Sequence, residues 1–374
     1  MGTRPLRIGI DAHPIGDLVT GNERFIAGLV DGLHEAAPEH TFVLYFTDPN
    51  AAAKWPRSPR TEVRTLKPAS TPLFFAYALP AAARRDRLDA LVSQYATPPL
   101  ISCPVVALVY DICFHVHPEF FTRKDRAWLN LVVRHSLRRA GHVVCSSKFS
   151  RREITERFDI HHDRVTVVYD GIGSPFTDPT PRPSPVEPPF FLAVGSLAPR
   201  KNLATLVRGY REALRKNPDL PERLVIVGKE WIAAEAVYRE TAELRENGRV
   251  VFTGHIGDEQ LVGLIQRATC LAYPSVYEGF GLPPMEAMGA GTPAIVSDIP
   301  VMHEVHGDAS LFAPPLDSNG WAGALLEMAT DRAFRDDLAR RGKARTELFT
   351  WRMAGVKTLE AVDLAMTRTG ERRG

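Results

Sequence analysis

The chain has 374 residues, 44% hydrophobic and 24% charged, with a formal net charge of +2. That length exceeds one comfortable core and predicts two domains, while the composition excludes a disordered chain. The near-balanced charge excludes a general electrostatic trap for nucleic acid.

Four cysteines stand at Cys103, Cys113, Cys145 and Cys270 with no C-x-x-C pair. This argues against a thiolate zinc site and a disulfide scaffold, and it suits a reducing compartment. The first apolar run is too short for a signal-peptide core, and no run reaches the ~18–20 residues that span a bilayer. The expected location is cytoplasmic, with peripheral contact at the inner face of a membrane left open.

In chain order, a short apolar strand from Leu6 to Ile10 ends at Asp11 and opens into a glycine-bearing loop, Gly16 to Asn22. A helix-period stretch follows, with Phe25, Ile26, Leu29, Val30 and Leu33 on one face. Strands are predicted at Thr41–Phe46, Ala90–Val92, Val105–Val109, His142–Cys145 and Val165–Val168, with a basic amphipathic helix from Asp125 to Arg139. Six prolines crowd the twelve residues from Asp178 to Pro189, which predicts a stiff extended linker. The alternation then restarts with a strand at Phe190–Val194 and a helix carrying Leu203, Leu206, Val207, Tyr210 and Leu214 on one face. Further strands fall at Leu224–Val227, Val250–Phe252, Cys270–Tyr273 and Ala294–Ser297. Two α/β halves with parallel sheets are expected: an N-terminal lobe 1–178, a linker 179–189 and a C-terminal lobe 190–352. Ligands bind such sheets at the carboxyl ends of the strands.

The most informative segment runs from Tyr273 to Pro300. Glu278 and Glu286 flank Gly279-Phe280-Gly281 and the pair Pro283-Pro284. Proline suits a first helical turn, so Glu286 should sit near a helix start with the glycine turn just before it. Freed amides there can receive an anion, and a carboxylate can accept hydrogen bonds from hydroxyls. The plainer alternative makes Glu286 a helix-dipole partner and Glu278 a surface acid. Arg200-Lys201, at the start of the helix near Asn202, offers two cations for a diphosphate, or else a solvated basic turn. No G-x-G-x-x-G or G-x-x-x-x-G-K-[ST] occurs, against a dinucleotide oxidoreductase and a P-loop NTPase. His115, His117 and Glu119 are not expected to hold a metal, because no further ligand motif supports the H-x-H spacing.

Glu278 and Glu286, with seven residues between them, resemble the E-x7-E motif of family-4 retaining glycosyltransferases of GT-B fold. The resemblance extends over nearly the whole chain. It takes in Ile8 to Ala12, Thr20-Gly21-Asn22-Glu23, Asp111 with Pro118-Glu119, and Ser147-Lys148-Phe149-Ser150. It continues through Asp170-Gly171-Ile172, Gly195-Ser196 with Pro199-Arg200-Lys201-Asn202, Gly291-Thr292-Pro293 and Glu304-Val305. Relatives often carry a histidine before the aspartate; here that place is Tyr110, which leaves no histidine role to carry over.

The resemblance implies two facing Rossmann-like lobes, with a last helix, 353–374, crossing back to the N-terminal lobe and a hinge at the linker. It implies that Arg200 and Lys201 hold the donor diphosphate in place of a metal and stabilise the leaving group. Glu278 would orient the donor sugar, Glu286 would bind the ribose, and Gly279, Phe280, Gly281 and Leu282 would help through backbone amides. Gly21, Ser147 and Gly195 are placed among the donor-binding positions, and Asp111 is a catalytic candidate toward the acceptor. The variant around Gly195 to Asn202 resembles bacterial polysaccharide and O-antigen mannosyltransferases, so GDP-mannose is the first donor expected and a UDP-hexose the alternative. No cofactor or metal is expected, and the acceptor would be a glycan, a lipid-linked or a small molecule. A sugar-nucleotide epimerase on the same fold and a non-catalytic sugar-nucleotide-binding subunit remain as alternatives.

Overall fold

The computed structural model describes residues 4–16, 21–56, 58–230 and 234–371. Thr20 and its neighbours in the first glycine-bearing loop, and the end of the predicted last helix at 372–374, lie outside the described residues. The chain forms two compact units, 1–171 with 350–374 and 172–349.

Among the described residues unit 1 holds seven strands: β1 (Arg7–Asp11), β2 (Thr41–Phe46), β3 (Thr61–Thr65), β4 (Ala90–Gln94), β5 (Val105–Leu108), β6 (His142–Cys145) and β7 (Val165–Val167). Their order is β3-β2-β1-β4-β5-β6-β7, and all pairings are parallel. Unit 2 adds β8 (Phe190–Val194), β9 (Arg223–Val227), β10 (Val250–Gly254), β11 (Cys270–Tyr273), β12 (Ala294–Ser297) and β13 (Leu311–Ala313). Here the order is β10-β9-β8-β11-β12-β13, again all parallel. In both sheets the first strand sits inside and the order reverses beside it, at β1/β4 and at β8/β11. Those are the switch points where the loops at the carboxyl ends diverge and leave room for a ligand.

The central strands are apolar on both faces because helices cover both faces. β4, β5 and β6 are buried along their whole length. The two strands absent from the sequence reading, β3 and β13, are sheet edges. Thr61–Thr65 is largely polar and half-buried, so it carries no continuous apolar run. The helix Leu203–Lys216 buries Leu203, Leu206, Val207 and Tyr210, as its periodicity predicts.

Two expectations change. The proline-rich stretch is part of unit 2 rather than a free linker. The Arg182 amide donates to Gln266 Oε1 (3.0 Å), its guanidinium pairs with Asp178 (2.6 Å) and Glu259 (3.1 Å), and Gln266 Nε2 donates to the Thr180 carbonyl (3.0 Å). Without amide hydrogens, its prolines leave pairing to the residues between them. The chain therefore passes between units at 171/172 and 349/350, not at 178 and 353.

The last helix, Trp351–Glu371, belongs to unit 1 and lies along the helix Gly21–Ala36. Their backbones approach through Gly32 and Gly355: a Cβ on Gly32 would collide with the Trp351 carbonyl, and one on Gly355 with the Gly32 carbonyl. The Trp351 ring fills the space beside Gly28 and Gly171 and meets Phe25 edge-on at 5.9 Å. Trp351→Ala should lower the stability of unit 1 by about 3 kcal/mol through the cavity it leaves. Equilibrium denaturation checks this, and a loss below about 1 kcal/mol would mean the ring does not hold the helix.

Candidate active site

At the carboxyl end of β8 the chain turns through Gly195 and Ser196 into a 3-10 turn, Pro199–Lys201. Asn202 follows in the left-handed region (φ 52°) and opens the helix Leu203–Lys216. Its side-chain amide pins this turn by donating to the carbonyls of Pro274 (3.1 Å) and Pro315 (2.6 Å). Asparagine tolerates this conformation better than most residues, which suits it to the corner.

Neighbouring β11 ends at Tyr273, and the following loop brings Glu278 back to the same place. Lys201 Nζ donates to Glu278 Oε1 (2.5 Å) and to the Tyr273 hydroxyl (2.5 Å), and the hydroxyl donates in turn to Glu278 Oε1 (3.0 Å). Arg200 Nη1 lies 2.9 Å from the same oxygen. The Lys201 ammonium also sits 4.7 Å from the centre of the Tyr273 ring. Glu278 and Lys201 are buried, whereas the Arg200 side chain is 30% exposed.

Burial alone would raise the Glu278 pKa. Arg200 and Lys201 outweigh it and bring the carboxyl down to about 2. Burial, with Glu278 adding to it, pushes the Tyr273 phenol well above its ordinary value, so it stays a neutral donor. One carboxylate between two cations leaves a net single positive charge at the switch point of this sheet, a setting suited to a phosphate-bearing ligand.

Of the remaining predicted residues of unit 2, Gly195 borders this group and Gly279 to Leu282 follow Glu278 in sequence. A Cβ on Gly195 would lie 3.5 Å from the Lys201 stem. Gly281, at φ +96°, starts the helix Leu282–Gly289, and a Cβ there would press on Met302 at 2.8 Å. Phe280 meets Phe349 at 5.6 Å and Leu282 is buried, so the Gly279–Leu282 loop has its backbone, not its side chains, to offer a ligand. Glu286 is the fifth residue of that helix and 3% exposed. It lies beyond the first turn, where a dipole partner would stand. Glu278 is no surface acid either.

The other three predicted residues lie in unit 1. Gly21 is an exposed first residue of a helix rather than a loop residue, and among the described residues nothing lies within 4 Å of a Cβ added to it. Ser147 is a fully buried cap: its hydroxyl accepts from the Ser150 amide (3.0 Å). Asp111 follows β5 and accepts from the Cys113 amide (2.9 Å), fixing a short helical turn. Tyr110, in the place of the family histidine, is buried, donates to Gln94 Oε1 (3.0 Å) and meets Phe25 and Tyr95 edge-on. His115 and His117 turn to different partners, Asn130 and Glu119.

Sequence reasoning missed two groups. Tyr273 was visible only as a strand end. The second group is Asp11 with His13, at the carboxyl end of β1. Fully buried Asp11 takes the His13 ring (Nδ1, 2.6 Å), the Gln94 amide (3.2 Å) and the Ser93 hydroxyl (3.4 Å). Burial works against the imidazolium, but Asp11 outweighs it and the His13 pKa is raised. The signal was a polar pair directly after an apolar strand.

Residues 19–174 match the family model for glycosyltransferase family 4, and residues 177–345 match that for glycosyl transferases group 1. The chain belongs to the family-4 glycosyltransferases. It is 28% identical to an O-antigen chain mannosyltransferase of Escherichia coli over 69% of this chain and 70% of that one. In fold it is similar to the sucrose-phosphate synthase of Thermosynechococcus elongatus, with a TM-score of 0.76, 22% identity and coverage of 95% and 98%. It is also similar to an Anabaena protein solved with UDP-glucose, with a TM-score of 0.72, 17% identity and coverage of 96% and 99%. With two all-parallel α/β units and these neighbours, the chain has the GT-B fold.

Since the Glu278 pKa is depressed, its contribution is complete above the ordinary carboxylate range and is lost as the pH falls toward 2. Glu278→Gln should therefore melt below the parent at pH 6, with the gap narrowing once the pH drops under about 4. Melting midpoints from pH 6 to 2 give the comparison; a constant gap would show that the carboxylate is not held by the cations.

Proposed function

We propose that this enzyme transfers a hexosyl group from a nucleoside-diphosphate sugar to a glycan or lipid-linked acceptor with retention of configuration and without a metal. The observation that carries the reading is the Arg200–Lys201–Glu278 cluster at the β8/β11 switch point, with its residual positive charge. The donor diphosphate would lie against Arg200 and Lys201. These offset the charge that grows on it as the anomeric C–O bond breaks, the largest electrostatic demand of the transition state. The acceptor hydroxyl attacks the anomeric carbon from the same face, and its proton passes to the departing diphosphate. Each bond broken is matched by one formed, and no enzyme nucleophile is needed.

Glu278 has a second part here. Held ionised, it fixes both cations, and its second oxygen is the candidate for the donor hydroxyls. Glu286 is the candidate for the ribose, and the Gly279–Leu282 backbone for the sugar. Gly195 is assigned to the donor because it borders the Lys201 stem. For Asp111, Gly21 and Ser147, the support is the family resemblance.

GDP-mannose is the preferred donor, supported by the similarity to the mannosyltransferase and by the motif from Gly195 to Asn202. A UDP-hexose is the second reading, favoured by the fold neighbour solved with UDP-glucose.

A thermal-shift series with GDP-mannose, UDP-glucose, GDP and UDP, each with and without EDTA, tests donor and metal together. A ligand at 100 times its Kd adds about 2.7 kcal/mol. The expected outcome is a rise with GDP-mannose and GDP that EDTA leaves intact. A UDP-selective rise would replace the donor, loss of the rise with EDTA would remove the metal-free mechanism, and no rise with any nucleotide would overturn the transferase reading.

Arg200→Ala should weaken binding of the shifting nucleotide at least tenfold, about 1.4 kcal/mol or more, measured by calorimetry. Arg200 is partly exposed, so its loss should leave the fold intact. Unchanged affinity would place the diphosphate elsewhere.

A further inference from the structure

The helix Arg123–Arg139 in unit 1 is half out of the protein. Val133, Ser136 and Leu137 bury one face. The opposite face carries Trp128, 44% exposed, and Leu131, 66% exposed. These two are three residues apart and so adjacent on the helix surface. Around them, at helical spacing, stand Lys124, Arg134, His135, Arg138 and Arg139, all exposed. The helix's single acid, Asp125, accepts a hydrogen bond from the Thr122 hydroxyl at the N-terminal cap (2.7 Å). An outward face with a tryptophan and a leucine among cations, its one neighbouring acid (Asp125) tied to the helix cap, is not what solvent selects.

The helix packs against further segments that expose large apolar side chains. Val132, on its flank, packs with Ile101 onto the core cluster of Phe74, Phe75 and Leu79. In those same segments Leu73, Tyr77 and Leu100 are 45%, 64% and 62% exposed. Five of the nine large apolar side chains exposed among the described residues thus belong to segments joined by this one cluster.

We infer that this face docks unit 1 on an anionic phospholipid surface. Trp128 and Leu131 would enter the boundary between headgroups and acyl chains, where an amphipathic tryptophan is favoured. The arginines and Lys124 would pair with lipid phosphates. Among the described residues no helix is long and apolar enough to cross a membrane, so the contact is a peripheral one. Charge complementarity selects this occupant. A second copy of the chain would place two like-charged faces together, and that contact is self-repelling. The inference rests on this surface alone and does not depend on the nucleotide-sugar reading.

The test is co-sedimentation of the full chain with vesicles of phosphatidylcholine alone and of equal parts phosphatidylcholine and phosphatidylglycerol, at low and high salt. Binding to the anionic vesicles should exceed binding to the neutral ones at least tenfold and should fall at least tenfold in high salt. Trp128→Ser with Leu131→Ser should lose at least tenfold. Arg134→Glu with Arg138→Glu, which leaves the apolar pair intact, should do the same. Both variants change exposed side chains, and an unchanged melting midpoint and unchanged nucleotide shift confirm intact folding. Equal partition to both vesicle types, no partition, or variants that bind like the parent would each overturn the inference. So would concentration-dependent dimerisation abolished by the same substitutions, or retention on nucleic acid without retention on vesicles. Vesicle binding by a chain that binds no nucleotide would sink the transferase reading and leave this one standing.

Discussion

The site is organised by one carboxylate that three groups need at once. Glu278 Oε1 receives Lys201, Arg200 and the Tyr273 hydroxyl within 3.0 Å, in a place nearly closed to water. Taking ions out of water costs several kcal/mol each, and such a cluster persists only while its members compensate one another. That requirement reaches into the backbone. β8 and β11 must be neighbours and end together, Asn202 must turn the chain through the left-handed region, and the loop after Tyr273 must return within five residues. The sheet order that inserts β11 beside β8 meets all three conditions.

Unit 1 repeats the topology with opposite chemistry. At its own reversal of strand order a buried acid, Asp11, gathers a histidine, a hydroxyl and a main-chain amide. One unit thus presents cations tied to a carboxylate, the other a carboxylate that orients an imidazole. Similar scaffolds serve different chemistry because only the loops after the strands differ.

What could be read from the sequence follows the physics of burial. Central strands such as Val105–Leu108 and His142–Cys145 announce themselves because both faces are apolar. The edges do not: Thr61–Thr65 is largely polar, and Leu311–Ala313, though apolar, is only three residues long. The two acids, the Arg-Lys pair and the glycine turn were legible as separate motifs. That the Arg-Lys pair meets Glu278 followed only from the family resemblance, because Lys201 and Glu278 are 77 residues apart and only the sheet order joins them. Tyr273 and His13 escaped because a side chain at or just past a strand end has no periodicity to betray it. Proline density suggested a linker, but it reports backbone stiffness, and the residues between the prolines decide what the segment binds. The substitution of Tyr110 for a histidine looked like a lost function. In place it is a buried phenol tied to Gln94, part of the packing under β1 and β4.

The helix Trp351–Glu371 completes unit 1, yet it is made only after the whole of unit 2, residues 172–349, has been synthesised. At roughly 5–20 residues per second, that interval lasts on the order of ten seconds or more. Throughout it the nascent first unit lacks the helix that covers Phe25, Gly28 and Gly32, and an apolar stripe stays open to solvent and to chaperones. Unit 2, continuous in sequence, can close as soon as it emerges. The second unit in sequence is therefore the first able to finish folding on the ribosome.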